Sequence, residues 1–394
     1  MGKYKICVYA ICKNEQKFIN RWVDSMNEAD LIVVADTGSD DDSIKLLKKR
    51  KVKVSSIKVD PFRFDVARNL SLDMVPKDID ICVCTDLDEV FEPGWRKLLE
   101  DAWQENTTRL KYSYTWNFND DGTPGVTFIY EKIHARNGFK WTHPVHEILE
   151  YNGNKPDVYA YCPQIHLNHH ADHTKSRNMY LSLLELSVKE DPTDDRNMHY
   201  LGREYMYKGM WDKCIETLKK HLNMPKATWK DERSASMRYI ARAYSAKKDY
   251  TQAKSWLLKA IAETPYLREP YTELARLAYY QNDFACVYDM VNSALKIQNK
   301  PNTYINEGFC WDYTLYDLGA ISCYSLKMYD MSLEYAKIAY EMSPNIVRLE
   351  NNYKIINEKV TEINKKLNYE NNIKNTADNN ENIKNSNPDN DYKN

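Results

Sequence analysis

Two aspartates, Asp86 and Asp88, directly follow a short hydrophobic run at residues 79–85. Side chains alternate along a strand, so both carboxylates lie on the same side of the chain where this run ends. Carboxylate oxygens are hard ligands that suit Mg²⁺ or Mn²⁺, and phosphate oxygens can complete the shell of such an ion. A solvated turn after a buried strand would use the same residues. The pair alone is therefore compatible with either a metal site or an ordinary turn.

Predicted strands and helices alternate through the first 85 residues. The strands are 4–11, 31–35, 52–59 and 79–85, and the intervening helices end near Met26, begin near Ser43 and begin at Phe64. This alternation predicts a parallel sheet, whose ligands bind beyond the carboxyl ends of the strands. Polar clusters follow the first, second and fourth strands, at 12–15, 36–43 and 86–89. We therefore expect the three clusters to converge on one cleft.

The polar clusters carry a family resemblance. Lys13-Asn14-Glu15, Asp36–Ser43, Ala67-Arg68-Asn69 and Asp86-Leu87-Asp88 resemble, in order and spacing, the nucleotide-sugar domain of inverting family 2 glycosyltransferases, over about residues 3–170. Thr37 stands where many members have a second aspartate. The resemblance implies an α/β GT-A (Rossmann-like) domain, Mn²⁺ or Mg²⁺ held by the Asp-x-Asp, and a nucleotide sugar, with a UDP-sugar as the expected donor. It implies these donor-binding residues: Lys13, Asn14, Glu15, Asp36, Ser39, Asp41, Arg68, Asn69 and Asp86.

Six of the nine histidines lie in two segments, 141–147 and 164–173. Neutral imidazole binds transition metals, and a carboxylate beside it can accept a proton. By the same resemblance, Glu147 is the expected catalytic base for the acceptor, and His166 is the expected third metal ligand. The segments lack the Cys-x-x-Cys or His-x-x-x-His spacing of structural zinc sites. The alternative to metal binding, for each histidine, is an imidazole that only makes hydrogen bonds in the core or on the surface.

Beyond about residue 175 the chain becomes helical and repeats a pattern of small and large residues. The stretch 234–265 matches the tetratricopeptide pattern, with further copies at 201–218 and 274–294 and a looser one at 320–344. One helical hairpin cannot bury its apolar face, but a stack of several can. Such a stack can bind a peptide or protein, or it can be a structural buttress or a dimerisation surface. The basic Lys175-Ser176-Arg177 either contacts donor phosphates or simply opens a helix.

Length and composition bound these predictions. The 394 residues suit a GT-A domain over 1–174, a tetratricopeptide-like all-α domain over 175–350, and a helical extension with an Asn-rich tail over 351–394. This tail is expected to be disordered after Tyr369. A net charge of −2 argues against a nucleic-acid binder. No segment reaches the ~18 apolar residues of a membrane span. Nine cysteines, mostly in apolar segments, fit a reducing cytoplasm.

The predicted function is a cytoplasmic, metal-dependent inverting glycosyltransferase, a hexosyltransferase that acts on a peptide, protein or glycan acceptor. It resembles bacterial family 2 enzymes that carry such repeats, a group that includes peptide S-glycosyltransferases. One alternative is a nucleotidyltransferase, against which stand the 11 glycines and the lack of a Gly-x-x-x-x-Gly-Lys loop. The other is a non-enzymatic tetratricopeptide scaffold with a relic α/β domain. The sugar, the acceptor and the oligomeric state, including a homo-oligomer, stay open.

Overall fold

The computed structural model of the chain describes residues 2–119, 121–172 and 179–385. The chain forms two compact units. Unit 1 comprises Met1–Pro265 with Lys300–Gly308, and unit 2 comprises Tyr266–Asn299 with Phe309–Asn394. Within the described ranges, the helices are too short or too polar to cross a bilayer. The predicted domain boundary near residue 175 and the basic segment 175–177 lie outside the described residues.

The strands of the described chain all belong to unit 1. They are β1 (Ile6–Cys12), β2 (Leu31–Asp36), β3 (Lys53–Ser56), β4 (Ile81–Cys84), β5 (Glu89–Phe91), β6 (Arg109–Thr115), β7 (Thr127–Ala135), β8 (Phe139–Thr142), β9 (Ile148–Tyr151) and β10 (Tyr159–His169). Eight form one sheet in the order β3-β2-β1-β4-β7-β6-β10-β5, and β8 pairs with β9 in a separate ribbon. Neighbouring strands from β3 to β4 run parallel, whereas β7 is antiparallel to both β4 and β6.

Helices separate the early strands and, from Tyr180 on, make up most of the described chain. In unit 1 they are α1 (Ile19–Met26), α2 (Ser43–Lys49), α3 (Phe64–Asp73), α4 (Trp95–Ala102), α5 (Tyr180–Glu190), α6 (Asp195–Tyr207), α7 (Trp211–Leu222), α8 (Lys230–Ala246) and α9 (Tyr250–Glu263). In unit 2 they are α10 (Arg268–Tyr280), α11 (Phe284–Leu295), α12 (Thr314–Ser325), α13 (Tyr329–Met342) and α14 (Val347–Asn385).

Strand β1 shows why the first part of the chain forms a sheet that is covered on both faces. Ile6 and Val8 belong to a core with α1 and α4, whereas Cys7 and Tyr9 belong to a second core with α3 and β8. A continuous apolar run is what a strand buried on both faces requires. The predicted strands and helices of the first 85 residues are present, with ends shifted by a few residues. The sheet as a whole is mixed, because β5 and β7 run antiparallel to their neighbours.

The predicted helical repeats are confirmed as helical hairpins. In unit 1, α6 packs on α7 and α8 packs on α9; in unit 2, α10 packs on α11 and α12 on α13. The small and large residues of the repeat pattern line these contacts. Cys214 and Leu218 are fully buried on α7, and Ala253 and Ala260 are fully buried on α9. Small side chains let the two helices of a hairpin approach closely, as the tetratricopeptide pattern requires.

Gly202 lies where α6 meets α7. A Cβ atom added there would be 2.3 Å from Cδ2 of Leu218, which is buried and cannot swing aside. Gly202→Ala is expected to lower the free energy of unfolding by up to about 2 kcal/mol, because overpacking costs about 1–3 kcal/mol and alanine in a helix gains only ~1 kcal/mol over glycine. Urea unfolding measures this. Gly308→Ala is the matched control, since nothing lies within 4 Å of its Cβ position. Equal unfolding energies for both variants would contradict such close packing.

The end of the chain differs in part from the prediction. Disorder is predicted after Tyr369, whereas α14 continues as a helix to Asn385. Its early turns pack on α13 and bury Leu349 and Ile356. Charged pairs one turn apart, such as Lys366 with Glu362, support the more polar turns that follow. Residues 386–394, where disorder is also predicted, lie outside the described residues.

Candidate functional site

The carboxyl ends of β1, β2 and β4 lie side by side, as the sequence predicts. Cys12 pairs with Asp36 at the ends of β1 and β2, and Tyr9 pairs with Cys84 near the ends of β1 and β4. The segments that leave these strands therefore start from one edge of the sheet. Lys13, Asn14, Glu15, Asp36, Ser39, Asp41, Asp86 and Asp88 all belong to these segments.

The segment after β1 is tied to the segment after β2 by hydrogen bonds. The backbone N–H of Asn14 donates to Oγ of Ser39 at 2.9 Å, and Oδ1 of Asn14 accepts from the N–H of Asp40 at 2.9 Å. The N–H of Glu15 donates to Oγ of Ser43 at 2.8 Å. These bonds bring the predicted donor-binding residues of both segments together, and Lys13 is exposed beside them.

Asp36 and Asp41 shape the turn between β2 and α2. Asp36 is buried, and its carboxylate accepts from the N–H of Gly38 at 3.0 Å and of Ser39 at 3.1 Å. Gly38 has a φ of 104°, which favours glycine. Asp41 accepts from the N–H of Ser43 at 2.9 Å. Partial burial opposes ionisation of Asp41, but its hydrogen bonds with Ser43 outweigh this and lower its pKa. In the structure, both aspartates bind the backbone of the turn.

Arg68, from the second turn of α3, is the centre of a buried ion cluster. Its side chain is 4 % exposed. One guanidinium nitrogen donates to both carboxylate oxygens of Asp86, at 2.8 and 3.2 Å, and Nε donates to Glu147. The guanidinium also lies over the ring of Trp141, 5.2 Å from its centroid. Arg68 thereby joins the strand-end aspartate to the predicted base.

Lys132 on β7 supplies a second cation to this cluster. Its Nζ lies 3.4 Å from Asp86 and 3.7 Å from Glu89. Burial alone would raise the pKa of Asp86, but the charges of Arg68 and Lys132 outweigh it and hold the pKa below its ordinary value. Asp86 is therefore ionised over the physiological pH range. By contrast, burial raises the pKa of Glu89, whose Oε1 accepts from the hydroxyl of Tyr114 at 2.8 Å.

Asp88 points to a different partner. Its Oδ2 lies 3.4 Å from Nε2 of His169 at the end of β10, and Nδ1 of the same imidazole faces the carbonyl of Trp116 at 2.9 Å. Burial alone would lower the pKa of His169, but the hydrogen bond and charge of Asp88 raise it. His166, the predicted third ligand, pairs with Ser113 three residues earlier on β10, about 10 Å back along the strand. The histidine that the fold places beside Asp88 is thus His169.

Asn69 has a local partner in the two-stranded ribbon. Its side-chain amide donates to the carbonyl of Trp141 at 2.8 Å, and its Oδ1 accepts from the N–H of Trp141 at 2.9 Å. Asn69 thus fixes β8, and with it the start of the segment that leads to Glu147. It also lines a surface cavity of about 420 Å³ whose other walls include Arg63, Lys140 and His143.

The segment 143–147, which carries Glu147, is held by helix α6. His143 and His146 have φ values of 74° and 52°, a conformation that non-glycine residues adopt only where contacts impose it. Arg196 donates to the carbonyl of His146 at 2.8 Å, and the amide of Asn197 donates to Nδ1 of His143 at 2.9 Å. Tyr200 stacks on the imidazole of His146, with ring centroids 4.2 Å apart. Helix α6, at the start of the repeat region, therefore positions the segment that carries the predicted base.

Sequence reasoning missed several residues of this site, chiefly Lys132, Glu89 and His169. Glu89 directly follows the Asp-x-Asp and could have been included on that ground. His169 stood in the histidine-rich segment, but a single sequence does not reveal the register of β10 against β5. Nothing in the sequence around Lys132 indicated that it belongs to this site. Its strand, β7, lies between β4 and β6 only in the tertiary structure.

A divalent cation fits Asp88 and His169 better than it fits Asp86. A carboxylate oxygen and an imidazole nitrogen are acceptable donors for Mn²⁺. Both oxygens of Asp86 already accept hydrogen bonds from Arg68, and Lys132 lies beside them. In the part of the chain that the structure describes, a group of three donors within 4.8 Å of one another occurs elsewhere, at His199, His221 and Glu232.

Comparison with solved structures gives likeness to tetratricopeptide-repeat proteins over part of the chain. No family model and no curated protein matches the chain. Similar solved structures include MamA (17 % identity, TM-score 0.33, covering 43 % of this chain and 83 % of that one). PilF of Pseudomonas aeruginosa has 12 % identity and a TM-score of 0.35, covering 45 % of this chain and 72 % of that one. YrrB, described as a tetratricopeptide protein with an unusual peptide-binding site, has 11 % identity and a TM-score of 0.37, covering 45 % and 84 %.

These comparisons correct the family prediction. No family model matches residues 3–170, and the similar structures named above are tetratricopeptide-repeat proteins. The prediction that the chain belongs to the family 2 glycosyltransferases, and is similar to bacterial peptide S-glycosyltransferases, is therefore wrong. The motifs that suggested it are short, and the structure gives local reasons for two of them. Asp36 and Ser39 build a turn, and Asn69 holds β8.

Proposed function

We propose that the helical repeats bind a peptide or protein and that the strand-end site of unit 1 transfers a glycosyl group to it from a nucleotide sugar. The observation that carries the proposal is the convergence, at one edge of the sheet, of the polar segments after β1, β2 and β4 with the Arg68 cluster. Ligands of parallel α/β sheets bind at this edge.

Exposed aromatic side chains support peptide binding by the repeats. In unit 1, Tyr207 at the end of α6 and Trp229 just before α8 are 63 % and 41 % exposed, and in unit 2 Tyr280 is 73 % exposed. Tyrosine and tryptophan are the residues that protein-binding surfaces favour, because they offer a large apolar face with one polar group. Stacked helical hairpins are widely used as extended binding surfaces.

The residues after β1 and β2 are proposed to bind the nucleoside of the donor. Lys13 and Asn14 are exposed at this edge, and the turn built by Asp36 keeps Ser39 and Asp41 next to them. Arg68 and Lys132 supply the positive charge that a diphosphate requires, although both now face carboxylates. Binding of a diphosphate would exchange part of this internal pairing for pairing with the ligand.

A divalent cation, Mn²⁺ or Mg²⁺, would be held by Asp88 with His169, because both oxygens of Asp86 already accept from Arg68. When bound, such an ion stabilises the charge that develops on a leaving nucleoside diphosphate. Glu147 is proposed to accept the proton of the acceptor hydroxyl or thiol. Its side chain is only 10 % exposed, and Arg68 fixes the orientation of its carboxylate. A fixed, desolvated carboxylate is a competent general base once the acceptor lies within hydrogen-bond distance.

A second candidate is a non-enzymatic scaffold in which the repeats bind a partner and unit 1 only supports them. One observation favours it. Asp86 and Glu147 are already neutralised by Arg68 and Lys132, so the cluster is electrostatically satisfied without a metal or a substrate. Buried charged groups with internal partners of this kind can serve structure alone.

A panel of nucleotide sugars distinguishes the two candidates. The purified full-length protein is incubated with each donor and Mn²⁺, and release of nucleoside diphosphate is measured with and without a chelator. We expect slow metal-dependent release from a UDP-sugar, and its loss in Asp88→Asn. Asp101→Asn is the matched control, because Asp101 is an exposed residue of α4. Release that is absent, or equal in wild type and Asp88→Asn, would leave the scaffold as the function.

A further inference from the structure

Three polar side chains meet inside the helical part of unit 1, away from the strand-end site. They are His199 on α6, His221 on α7 and Glu232 on α8, and all three are buried. One donor atom of each lies within 4.8 Å of the other two. Helical hairpins of this kind normally pack apolar residues at such positions, so three buried polar groups need a reason.

Ser236, one turn after Glu232 on α8, orients both imidazoles. Its Oγ lies 2.7 Å from Nδ1 of His199 and 3.0 Å from Nδ1 of His221. A serine oxygen can accept two hydrogen bonds. When both imidazoles donate their Nδ1–H to it, both Nε2 atoms carry free lone pairs. A metal-binding histidine usually donates one ring N–H to such a group. That hydrogen bond fixes the ring and leaves the lone pair of the other nitrogen free to bind the ion.

The two Nε2 atoms have no hydrogen-bond partner in the described structure, although both are fully buried. A buried polar atom without a partner costs about 1–3 kcal/mol, so two such atoms in one place indicate a missing ligand. Glu232 completes the group. Its Oε1 lies 3.4 Å from Nε2 of His221, and its Oε2 accepts from the hydroxyl of Tyr304 at 2.5 Å. The hydrogen bond from Tyr304 fixes the carboxylate and leaves Oε1 directed at the histidines.

We propose that His199, His221 and Glu232 form a zinc site in the helical part of unit 1. Two imidazole nitrogens and one carboxylate oxygen are a common ligand set of Zn²⁺, and a water molecule can complete the tetrahedron. The ligands come from three successive helices, so the ion joins α6, α7 and α8. Since α6 also holds the segment 143–147 through Arg196 and Asn197, the ion stabilises the helix that positions that segment.

The test measures Zn²⁺ binding to the full-length protein after treatment with a chelator. The Asp88→Asn background excludes binding at the strand ends. We expect one Zn²⁺ per chain, a rise in Tm of roughly 5–10 °C with zinc in 100-fold excess over Kd, and visible absorption of a tetrahedral site with Co²⁺. His199→Gln and Glu232→Gln should each lower the affinity at least 100-fold. Ser236→Ala should lower it about 10–100-fold, because it releases the imidazoles.

His134→Gln is the matched control. His134 is equally buried, but both of its ring nitrogens have partners, the hydroxyl of Tyr9 and the carbonyl of Ala135, each at 2.8 Å. This variant should bind zinc like the parent, whether or not its Tm is lower. A parent protein that binds no Zn²⁺ would overturn the proposal and leave an internal water as the partner of the two nitrogens. Unchanged binding and Co²⁺ absorption in both His199→Gln and Glu232→Gln would overturn it as well.

Discussion

Glu147→Gln is expected to reduce glycosyl transfer to the acceptor about 10²–10⁴-fold while the Kd of the nucleotide sugar stays unchanged. Removal of a general base typically costs this much. Glutamine keeps the shape of the side chain, and its carbonyl oxygen can still accept from Nε of Arg68, so the segment 143–147 keeps its place. Donor binding is measured by calorimetry, and turnover is measured at saturating donor.

The matched control for this variant is Glu150→Gln, three residues further on the exposed side of β9. It should change neither turnover nor donor affinity. A weaker donor affinity with unchanged turnover in Glu147→Gln would make Glu147 a donor contact, and the base would then lie elsewhere.

Arg68→Met is expected to lower the free energy of unfolding by about 3 kcal/mol. Removing one partner of a buried ion pair typically costs 3–5 kcal/mol, because it leaves an uncompensated charge. Here two carboxylates lose the guanidinium. Glu147 is 10 % exposed, but Asp86 is 35 % exposed and can recover some hydration, which places the expected loss at the low end. Urea unfolding at neutral pH measures it.

Arg50→Met controls for the loss of a paired arginine. Arg50 pairs with Asp24, but its side chain is 27 % exposed and that of Asp24 is 65 % exposed. Water can replace much of that pairing, so the loss should be about 1 kcal/mol or less. Equal losses in the two variants would mean that burial of Arg68 does not set its contribution. The ion cluster would then have no special structural role.

The family prediction was wrong for a physical reason that particular residues illustrate. Asp36 with Gly38 and Ser39 makes a hydrogen-bonded turn, and a parallel strand that must end at a helix can use such a turn in any family. Asn69 pairs with the backbone of Trp141, which is also a local structural task. A motif of three or four residues is therefore better evidence of such local hydrogen bonding than of membership in a family.

The sequence by itself determined the elements whose signal is local. The apolar run of β1 predicted a strand, and the spacing of Cys214, Leu218, Ala253 and Ala260 predicted close helical hairpins, because side-chain periodicity follows from backbone geometry alone. Only the tertiary structure decided which distant charges meet. Lys132 reaches Asp86 because β7 inserts beside β4, and His169 faces Asp88 because β10 pairs with β5 in one register. Register and strand order depend on packing between segments far apart in the chain, so no local pattern carries them.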